Sequence, residues 1–322
     1  MDSRLAALEH WLAGQLDGAA YRLAPASEDA SFRRYFRAHL ADGRTFIVMD
    51  APPPQENCAP FVRIAQLLRD AGLHAPEVHA QDLVQGFLLL ADLGTQTYLE
   101  ALVAGDADAL MRDATDALLR WQLATRPDVL PPYDEPLLQR EMALFPDWYV
   151  ARHLGRSLSA ERQGELQRIF SLLASSALAQ PKVYVHRDYM PRNLMVSEPN
   201  PGVLDFQDAV IGPITYDVIC LLRDAFLSWD EERVLDWSVR YWEKAKKAGL
   251  PVDADFGEFF RALEWMGLQR HLKVMGIFAR LTYRDGKPKY VADTPRFVGY
   301  ARAVAARYAP LKPLARLLDE LS

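Results

Sequence analysis

The sequence predicts an α+β protein with two lobes, a small lobe that holds an antiparallel sheet and a larger, mainly helical lobe. Strand-like runs dominate residues 32–90, and the Asp42-Gly43 turn between two of them is typical of an antiparallel hairpin. Helical periodicity dominates from residue 97 onward. The change of pattern predicts an N-terminal lobe at 1–92 and a C-terminal lobe at 93–322.

The small lobe begins with an amphipathic helix, because the apolar residues near the N-terminus recur at helical spacing. A second helical stretch ends at Gly72, a residue type that commonly terminates helices. In chain order, the predicted elements of this lobe are helix 1–17, strands 32–40 and 45–49, helix 60–71, and strands 77–80 and 86–90. The pattern therefore predicts a small antiparallel sheet with a helix against it.

The larger lobe consists of helical stretches with one strand-rich interruption. The predicted helices span 97–103, 107–124, 136–153, 159–178, 213–227, 230–248 and 256–281. The interruption at 183–206 predicts a strand, a polar loop and a short hairpin of 194–197 with 203–206. A cleft between two such lobes is a common place for a ligand.

Composition and charge narrow the class of protein. The chain has 322 residues, is 50% hydrophobic and carries a net charge of −6, so we expect a sizeable core and no nucleic-acid partner. Cys58 and Cys220 lie beside apolar sequence, which favours buried thiols in a reducing compartment. No apolar run approaches the ~18 residues of a membrane helix, and the first residues do not resemble a signal peptide. We therefore expect a cytoplasmic protein without a membrane or obligate protein partner.

Three polar residues stand out within VYVHRDYMPRNLMVSEPNPGVLDF, which spans 183–206. Asp188, Asn193 and Asp205 have the spacing of a kinase catalytic loop (H-R-D, four residues, N) followed by a metal loop (D-F-x). A carboxylate at Asp188 can orient an acceptor hydroxyl and take its proton. Oxygens of Asn193 and Asp205 are ligands that Mg²⁺ prefers. The joint pattern predicts phosphoryl transfer from ATP bound with Mg²⁺.

Each of these residues is a weak signal when it is taken alone. Asp188 could cap a turn, Asn193 could be a turn residue, and His-x-Asp could be a metal-binding pair. The combination beside strand-like runs is much harder to reach by chance, so we interpret it as a phosphotransferase site. We interpret His186 as a buried scaffold histidine rather than a catalyst.

The same motifs resemble those of the aminoglycoside phosphotransferase-type kinases, which are small-molecule kinases with a two-lobed, protein-kinase-like fold. The resemblance covers nearly the whole chain and rests on HRDYMPRN (186–193), LDFQDAVIGPITYD (204–217) and LLLADLG (88–94). It implies the use of ATP and Mg²⁺, a catalytic role for Asp188 and metal binding by Asn193 and Asp205. It also implies that the segment around Leu90 and Asp92 holds the adenine, and that Asp217 braces the catalytic loop.

A closer resemblance is to the bacterial kinases that phosphorylate the anomeric hydroxyl of N-acetylmuramate and N-acetylglucosamine in cell-wall sugar recycling. It rests on DASFRRYFRA (29–38), FIVMDAPP (46–53), QREMALFPDWYV (139–150) and EWMGLQRHLKVMGIFARL (264–281). This resemblance implies a small amino sugar as the acceptor of the phosphoryl group.

One departure from the family pattern concerns the phosphates of ATP. Kinases of this fold usually carry a lysine on the third strand, but Met49 stands there and the small lobe contains no lysine at all. Arg33 or Arg34 is predicted to replace it, since a guanidinium can clamp phosphate with paired hydrogen bonds. Strand alternation puts Arg34 on one face and Arg33 with Arg37 on the other, which leaves the choice open. The loop also lacks G-x-G-x-x-G, so Ser31 and nearby backbone amides would have to cover the phosphates.

The charge of one segment bears on the acceptor. Residues 261–290, which the resemblance places on the acceptor side, contain seven basic and two acidic residues, a balance of +5. This balance disfavours a polycation and permits a neutral or anionic sugar. The side chains that could converge on the acceptor are Arg261, Glu264, Gln269 and Arg270, and those that could stack on a sugar ring are Trp148, Trp242 and Trp265.

Two other functions stay open at the level of sequence. The first is an aminoglycoside or other small-alcohol phosphotransferase of the same fold. The second is a catalytically weak, nucleotide-binding pseudokinase, which Met49 favours and the intact set of Asp188, Asn193 and Asp205 opposes.

Overall fold

A computed structural model describes residues 2–28, 32–53, 55–104 and 107–322. The chain forms two compact units. The first unit comprises residues 1–121 with 192–208, and the second comprises residues 122–191 with 209–322.

The lobe boundary that the sequence pattern suggests at residue 92 falls inside the first unit. The chain beyond this point joins the segment 192–208, because Thr97 forms an antiparallel bridge with Met195 and the Val196 N–H donates to the Gln96 carbonyl at 2.9 Å. The first compact unit therefore includes residues beyond 92, which the change in sequence pattern assigns to the C-terminal lobe.

The first unit is built around an antiparallel sheet whose strand order is β1-β2-β3-β5-β4. The strands are β1 (Tyr21–Glu28), β2 (Arg34–Leu40), β3 (Thr45–Asp50), β4 (Val78–Asp82) and β5 (Phe87–Ala91). The turn between β2 and β3 uses Gly43 at a φ of +87°, which glycine adopts at little steric cost. The four predicted strands are confirmed, and β1 is an edge strand that the sequence analysis missed.

One face of this sheet packs against the N-terminal helix α1 (Ser3–Gln15), which is the helix that the apolar spacing predicts at 1–17. The Asp2 carboxylate caps α1 by accepting a hydrogen bond from the Arg4 N–H at 3.0 Å. The buried core on this face consists of Leu8, Leu12, Ala38, Val48, Phe87 and Leu89. Because side chains alternate along each strand, the intervening residues point to the opposite face.

The remaining elements of the first unit are helices and a short hairpin. The helices are α2 (Ala59–Asp70), α3 (Tyr98–Ala104) and α4 (Ala107–Leu123), and the last of these enters the second unit at its end. The hairpin pairs β7 (Leu194–Met195) with β8 (Gly202–Val203). It lies near the predicted place but is shorter than predicted, because 196–197 and 204–206 are not strands. Phe61 of α2 packs on Phe206 just beyond this hairpin, with ring centroids 4.7 Å apart.

The second unit is mainly helical and contains an antiparallel ladder of β6 (Lys182–Val185) with β9 (Val210–Pro213). Its helices are α5 (Glu135–Leu144), α6 (Ala160–Ala179), α7 (Tyr216–Leu222), α8 (Glu231–Lys247), α9 (Phe256–Tyr283), α10 (Thr294–Arg307) and α11 (Lys312–Leu321). A π-helical stretch, Phe145–His153, continues α5. The prediction of one helix at 213–227 is wrong, because a strand ends at Pro213 and only 216–222 are helical.

Helix α9 is the central element of the second unit, and most of its residues are buried. Gly276 allows α9 to approach α5 closely, since a Cβ atom at this position would lie 2.4 Å from the carbonyl carbon of Leu144. Cys58 and Cys220 are buried unpaired thiols, as predicted. No helix among the described residues combines the length and apolar character that crossing a membrane requires. The α+β class is confirmed.

Candidate active site

The first unit contains a cavity of about 270 Å³ on the sheet face opposite α1. Its walls include the strands β2, β3 and β5, the segment 92–97 that follows β5, and the hairpin region 192–205. Leu90, Asp92, Asn193 and Asp205 all line this cavity. The structure thus brings the predicted adenine-binding segment and the predicted metal ligands around one space.

The two predicted metal ligands lie side by side. The Asn193 amide Nδ2 donates a hydrogen bond to Asp205 Oδ2 at 3.2 Å, and Gln207 Nε2 donates to Asp205 Oδ1 at 3.0 Å. The hairpin explains how residues twelve apart can meet, because the Leu204 N–H donates to the Asn193 carbonyl at 2.9 Å. Asp205 has a φ of +63°, a left-handed conformation that is costly for a residue with a side chain and is often found at functional sites.

The chemistry of this pair fits Mg²⁺. The ion prefers oxygen ligands and is usually held by one or two side chains together with water and substrate phosphates. Among residues 2–28, 32–53, 55–104 and 107–322, no cluster of three or more His, Cys, Asp or Glu side chains forms a complete metal cage. An amide and a carboxylate on a cavity wall are therefore the kind of partial ligand set that a nucleotide-bound Mg²⁺ requires.

Arg37 lines the cavity and is paired with Asp92, a partner that the sequence pattern does not indicate. Its Nε and Nη2 atoms donate to the two carboxylate oxygens of Asp92 at 2.6 and 3.0 Å, and Nη2 also donates to the Gly94 carbonyl at 2.7 Å. Burial would raise the pKa of Asp92, but hydrogen bonds from Arg37 and Thr45 hold that pKa below its usual value. The carboxylate therefore stays ionised and fixes β2 to the segment that follows β5.

The arginines predicted to replace the family lysine lie apart from one another. Arg34 bonds to Asp50 at 2.6 Å and also to Asp2, on the face of the sheet that packs against α1. Arg33 bonds through Nε to Glu56 at 3.1 Å. Arg33 lies just before β2 and is not among the residues that line the cavity, whereas Arg37 lines it. Ser31, the third predicted phosphate-binding residue, lies outside the described residues.

Met49, at the family lysine position, is buried in the sheet. It pairs with Tyr35 on β2 and with Leu88 on β5. An apolar side chain therefore fills the place from which a lysine would reach the phosphates.

The predicted catalytic loop belongs to the second unit and follows β6. Asp188 is half-buried, and its backbone N–H donates to His186 Nδ1 at 3.2 Å. Asp217, in the first turn of α7, accepts hydrogen bonds from the N–H groups of His186 at 2.6 Å and Arg187 at 3.0 Å. These bonds confirm that Asp217 braces the loop. Complete burial raises the pKa of Asp217 to about 7 despite these two amide bonds.

The proposed acceptor side chains do not converge. Arg261 pairs with Glu258 on an exposed surface, Glu264 bonds to Arg307 and Tyr308, and Gln269 bonds to Glu141 at 3.2 Å. Arg270 is buried, and its described bonds are long, at 3.4 Å to the Arg223 carbonyl and 3.8 Å to Met190 Sδ. The net charge of +5 in residues 261–290 is therefore not concentrated on one surface that could face the acceptor. Trp148, Trp242 and Trp265 are half-buried, and Trp242 donates to the Asp253 carbonyl at 2.7 Å.

Comparison with known proteins identifies the family. The model of the phosphotransferase enzyme family matches residues 22–255, which is well over half of the chain. The chain belongs to the phosphotransferase enzyme family. This membership confirms the prediction of a phosphotransferase.

Relatives within the phosphotransferase family are similar over nearly their whole length. An N-acetylmuramate/N-acetylglucosamine kinase of Pseudomonas putida is 56% identical over 330 residues, which cover 99% of this chain and 97% of that protein. A kinase of the same name from Pseudomonas aeruginosa is 59% identical over 299 residues, which cover 93% of this chain and 88% of that protein.

A solved structure with the same fold is a choline/ethanolamine kinase family protein from Mesorhizobium loti. It matches with a TM-score of 0.64 at 13% identity and covers 98% of this chain and 99% of that chain. This likeness confirms the predicted two-lobed, protein-kinase-like fold of the phosphotransferase family.

Proposed function

We propose that the chain is an ATP-dependent kinase that phosphorylates the anomeric hydroxyl of N-acetylmuramate and N-acetylglucosamine in peptidoglycan recycling. The observation that carries this proposal is its identity of 56% and 59% with kinases of these two sugars over nearly the full length of both. We expect the reaction to take place in the cytoplasm, because the donor is ATP.

The cavity of the first unit is the proposed nucleotide site. Backbone groups around Leu90 and Asp92 would hold the adenine, and the Arg37–Asp92 ion pair keeps this segment in place. Asn193 and Asp205 would hold Mg²⁺, which neutralises charge on the phosphates when it is bound. We favour Arg33 over Arg34 as the phosphate ligand, because Arg34 is engaged with Asp50 on the opposite face of the sheet.

Asp188 is the proposed base. Its carboxylate would take the proton of the anomeric hydroxyl as the sugar oxygen bonds to the γ-phosphorus of ATP. The bond between this phosphorus and the bridging oxygen then breaks, and ADP leaves with the electron pair. The anomeric hydroxyl is more acidic than an ordinary alcohol, so a carboxylate suffices as its base.

The pseudokinase alternative has less support. Met49 at the lysine position is the feature that favours it, but an inactive nucleotide-binding module would not need an acceptor base. The retention of Asp188 together with Asn193 and Asp205 therefore favours catalysis.

An acceptor panel tests the proposal. ATP is offered with N-acetylmuramate, N-acetylglucosamine, kanamycin or choline, and products are identified by mass spectrometry. We expect phosphorylation of the two N-acetyl sugars, and Asp188→Asn should lower kcat by roughly 10²–10⁴-fold with the protein still folded. Turnover of kanamycin or choline alone would overturn the proposal.

A further inference from the structure

Arg187, the residue directly before the proposed base, has an unusual backbone conformation. Its φ is +77°, in the left-handed region that non-glycine residues rarely adopt. Such a conformation persists where surrounding contacts determine it, and it is concentrated at functional sites. The contacts of Arg187 therefore bear on how Asp188 is held.

Three of the described contacts of Arg187 connect it to neighbouring helices. Its N–H donates to Asp217 Oδ1 at 3.0 Å, and its carbonyl accepts from the Cys220 thiol at 3.6 Å. The third contact is made by the side chain, whose guanidinium bonds to the Glu141 carboxylate on α5. The first two contacts hold the backbone to α7, and the third ties the loop to a different helix.

Glu141 is a buried carboxylate with four hydrogen-bond donors around it. It is only 6% exposed, and its carboxylate accepts hydrogen bonds from Lys273 Nζ at 3.0 Å, from Gln269 at 3.2 Å and from the Tyr133 hydroxyl, in addition to Arg187. Burial would raise the pKa of Glu141, but attraction to Lys273 and Arg187 lowers it to about 2. The carboxylate is therefore ionised at neutral pH.

The charges of this cluster argue that Arg187 is more than a partner needed for burial. Glu141 carries one negative charge, and Lys273 alone is enough to neutralise it at 3.0 Å. Arg187 is a second cation on the same carboxylate, and both cations are also attracted to Asp188. What Arg187 adds is a rigid connection from α5 to the residue before Asp188, through a planar group that loses little freedom per hydrogen bond.

We propose that Glu141 is a positioning residue that acts through Arg187 to orient the Asp188 carboxylate toward the acceptor hydroxyl. This inference rests on the proposed role of Asp188 as the base. Loss of the anchor should lower kcat, because a displacement of about 1 Å at a reacting group can cost on the order of 10²-fold in rate. Binding of ATP in the first unit should change little.

Substitution of Arg187 tests the proposal without leaving a buried charge unpaired, since Glu141 keeps Lys273. Arg187→Gly removes the anchor but accepts the positive φ at no steric cost, whereas Arg187→Met removes the anchor and keeps that cost. We expect both variants to lower kcat by about 10- to 100-fold, while the KM for ATP stays within about 2-fold of the wild-type value. Arg187→Lys should keep part of the wild-type rate. Tyr133→Phe is the matched control, because it removes a different hydrogen bond to Glu141 and keeps the ring that lies under Arg187.

Hydrogen–deuterium exchange of the peptide spanning 184–191 gives a readout that does not depend on turnover. Faster exchange in Arg187→Gly than in the wild type and Tyr133→Phe, at similar melting temperatures, supports the anchor. If Arg187→Gly has both the exchange rate and the kcat of the wild type, the anchor proposal is wrong. The backbone conformation alone would then be sufficient to orient Asp188. Failure of wild-type enzyme to phosphorylate either sugar would instead contradict the proposed function, and the exchange comparison would still test the anchor.

Discussion

The Arg37–Asp92 ion pair should contribute measurably both to stability and to nucleotide binding. Both side chains are largely buried, with exposures of 17% and 7%, and the pair is joined by two hydrogen bonds. Removal of one partner from a fully buried pair costs about 3–5 kcal/mol. Asp92 would keep its bonds from the Gly94 N–H and from Thr45, so we expect Arg37→Met to lower the free energy of unfolding by about 2 kcal/mol.

The assay is urea unfolding of Arg37→Met, Asp92→Asn and the double variant, combined with the KM for ATP. We expect a coupling energy of about 1–2 kcal/mol and a several-fold rise in KM for ATP, because the pair fixes the segment that lines the cavity. The matched control is Arg44→Met, whose pair with Asp42 is exposed and should be worth less than about 0.5 kcal/mol. Equal stabilities of Arg37→Met and Arg44→Met, with an unchanged KM for ATP, would refute the reasoning.

Three further predictions concern metal dependence, packing and pH. Asp205→Ala should nearly abolish turnover, and Asn193→Ala should raise the Mg²⁺ concentration needed for half-maximal rate. A titration with Mg²⁺ checks both, and identical titrations in the wild type and both variants would exclude metal binding by these residues. Gly276→Ala should lower the melting temperature, because its Cβ would meet the Leu144 backbone. Gly299→Ala in α10, whose Cβ meets nothing within 4 Å, is the control and should leave the melting temperature unchanged or raise it. Equal shifts in the two variants would contradict this packing. Glu141 has a folded pKa of about 2 against an ordinary 4.5, so its stabilisation is complete above about pH 4.5 and is lost as pH falls toward 2. Wild type should lose roughly 3 kcal/mol over this range that Glu141→Gln does not lose, and parallel acid-unfolding curves would refute the assignment.

Local patterns were sufficient to predict most elements that stand alone in sequence. The hairpin at Asp42-Gly43 and the helices with clear apolar spacing are confirmed. The edge strand β1 was missed because Pro25 interrupts it and its register shifts between Pro25 and Ser27, so alternation is hidden. The error at 213–227 arose because an apolar run suits a buried strand as well as a helix, and neither α10 nor α11 was predicted.

The candidate site was predictable where chemistry follows short spacing and not where partners are distant. The H-R-D motif, Asn193 and Asp205 were found from spacing alone, and the structure places the last two 3.2 Å apart. Arg37 bonds to Asp92, which lies 55 residues further along the chain, and Arg187 bonds to Glu141, which lies 46 residues before it. Alternation indicates which face an arginine occupies, but the partner on that face is set by strand order and helix packing, which periodicity does not encode.

The position of the transferred phosphate tests the central claim most directly. Enzyme, ATP and Mg²⁺ are incubated with N-acetylglucosamine or its methyl glycoside, and the product is examined by ³¹P and ¹H NMR. We predict a phosphate coupled to the anomeric proton with the free sugar and no turnover of the methyl glycoside, which lacks that hydroxyl. Phosphorylation of the glycoside, or coupling of phosphorus to any other ring or methylene proton, would contradict anomeric transfer.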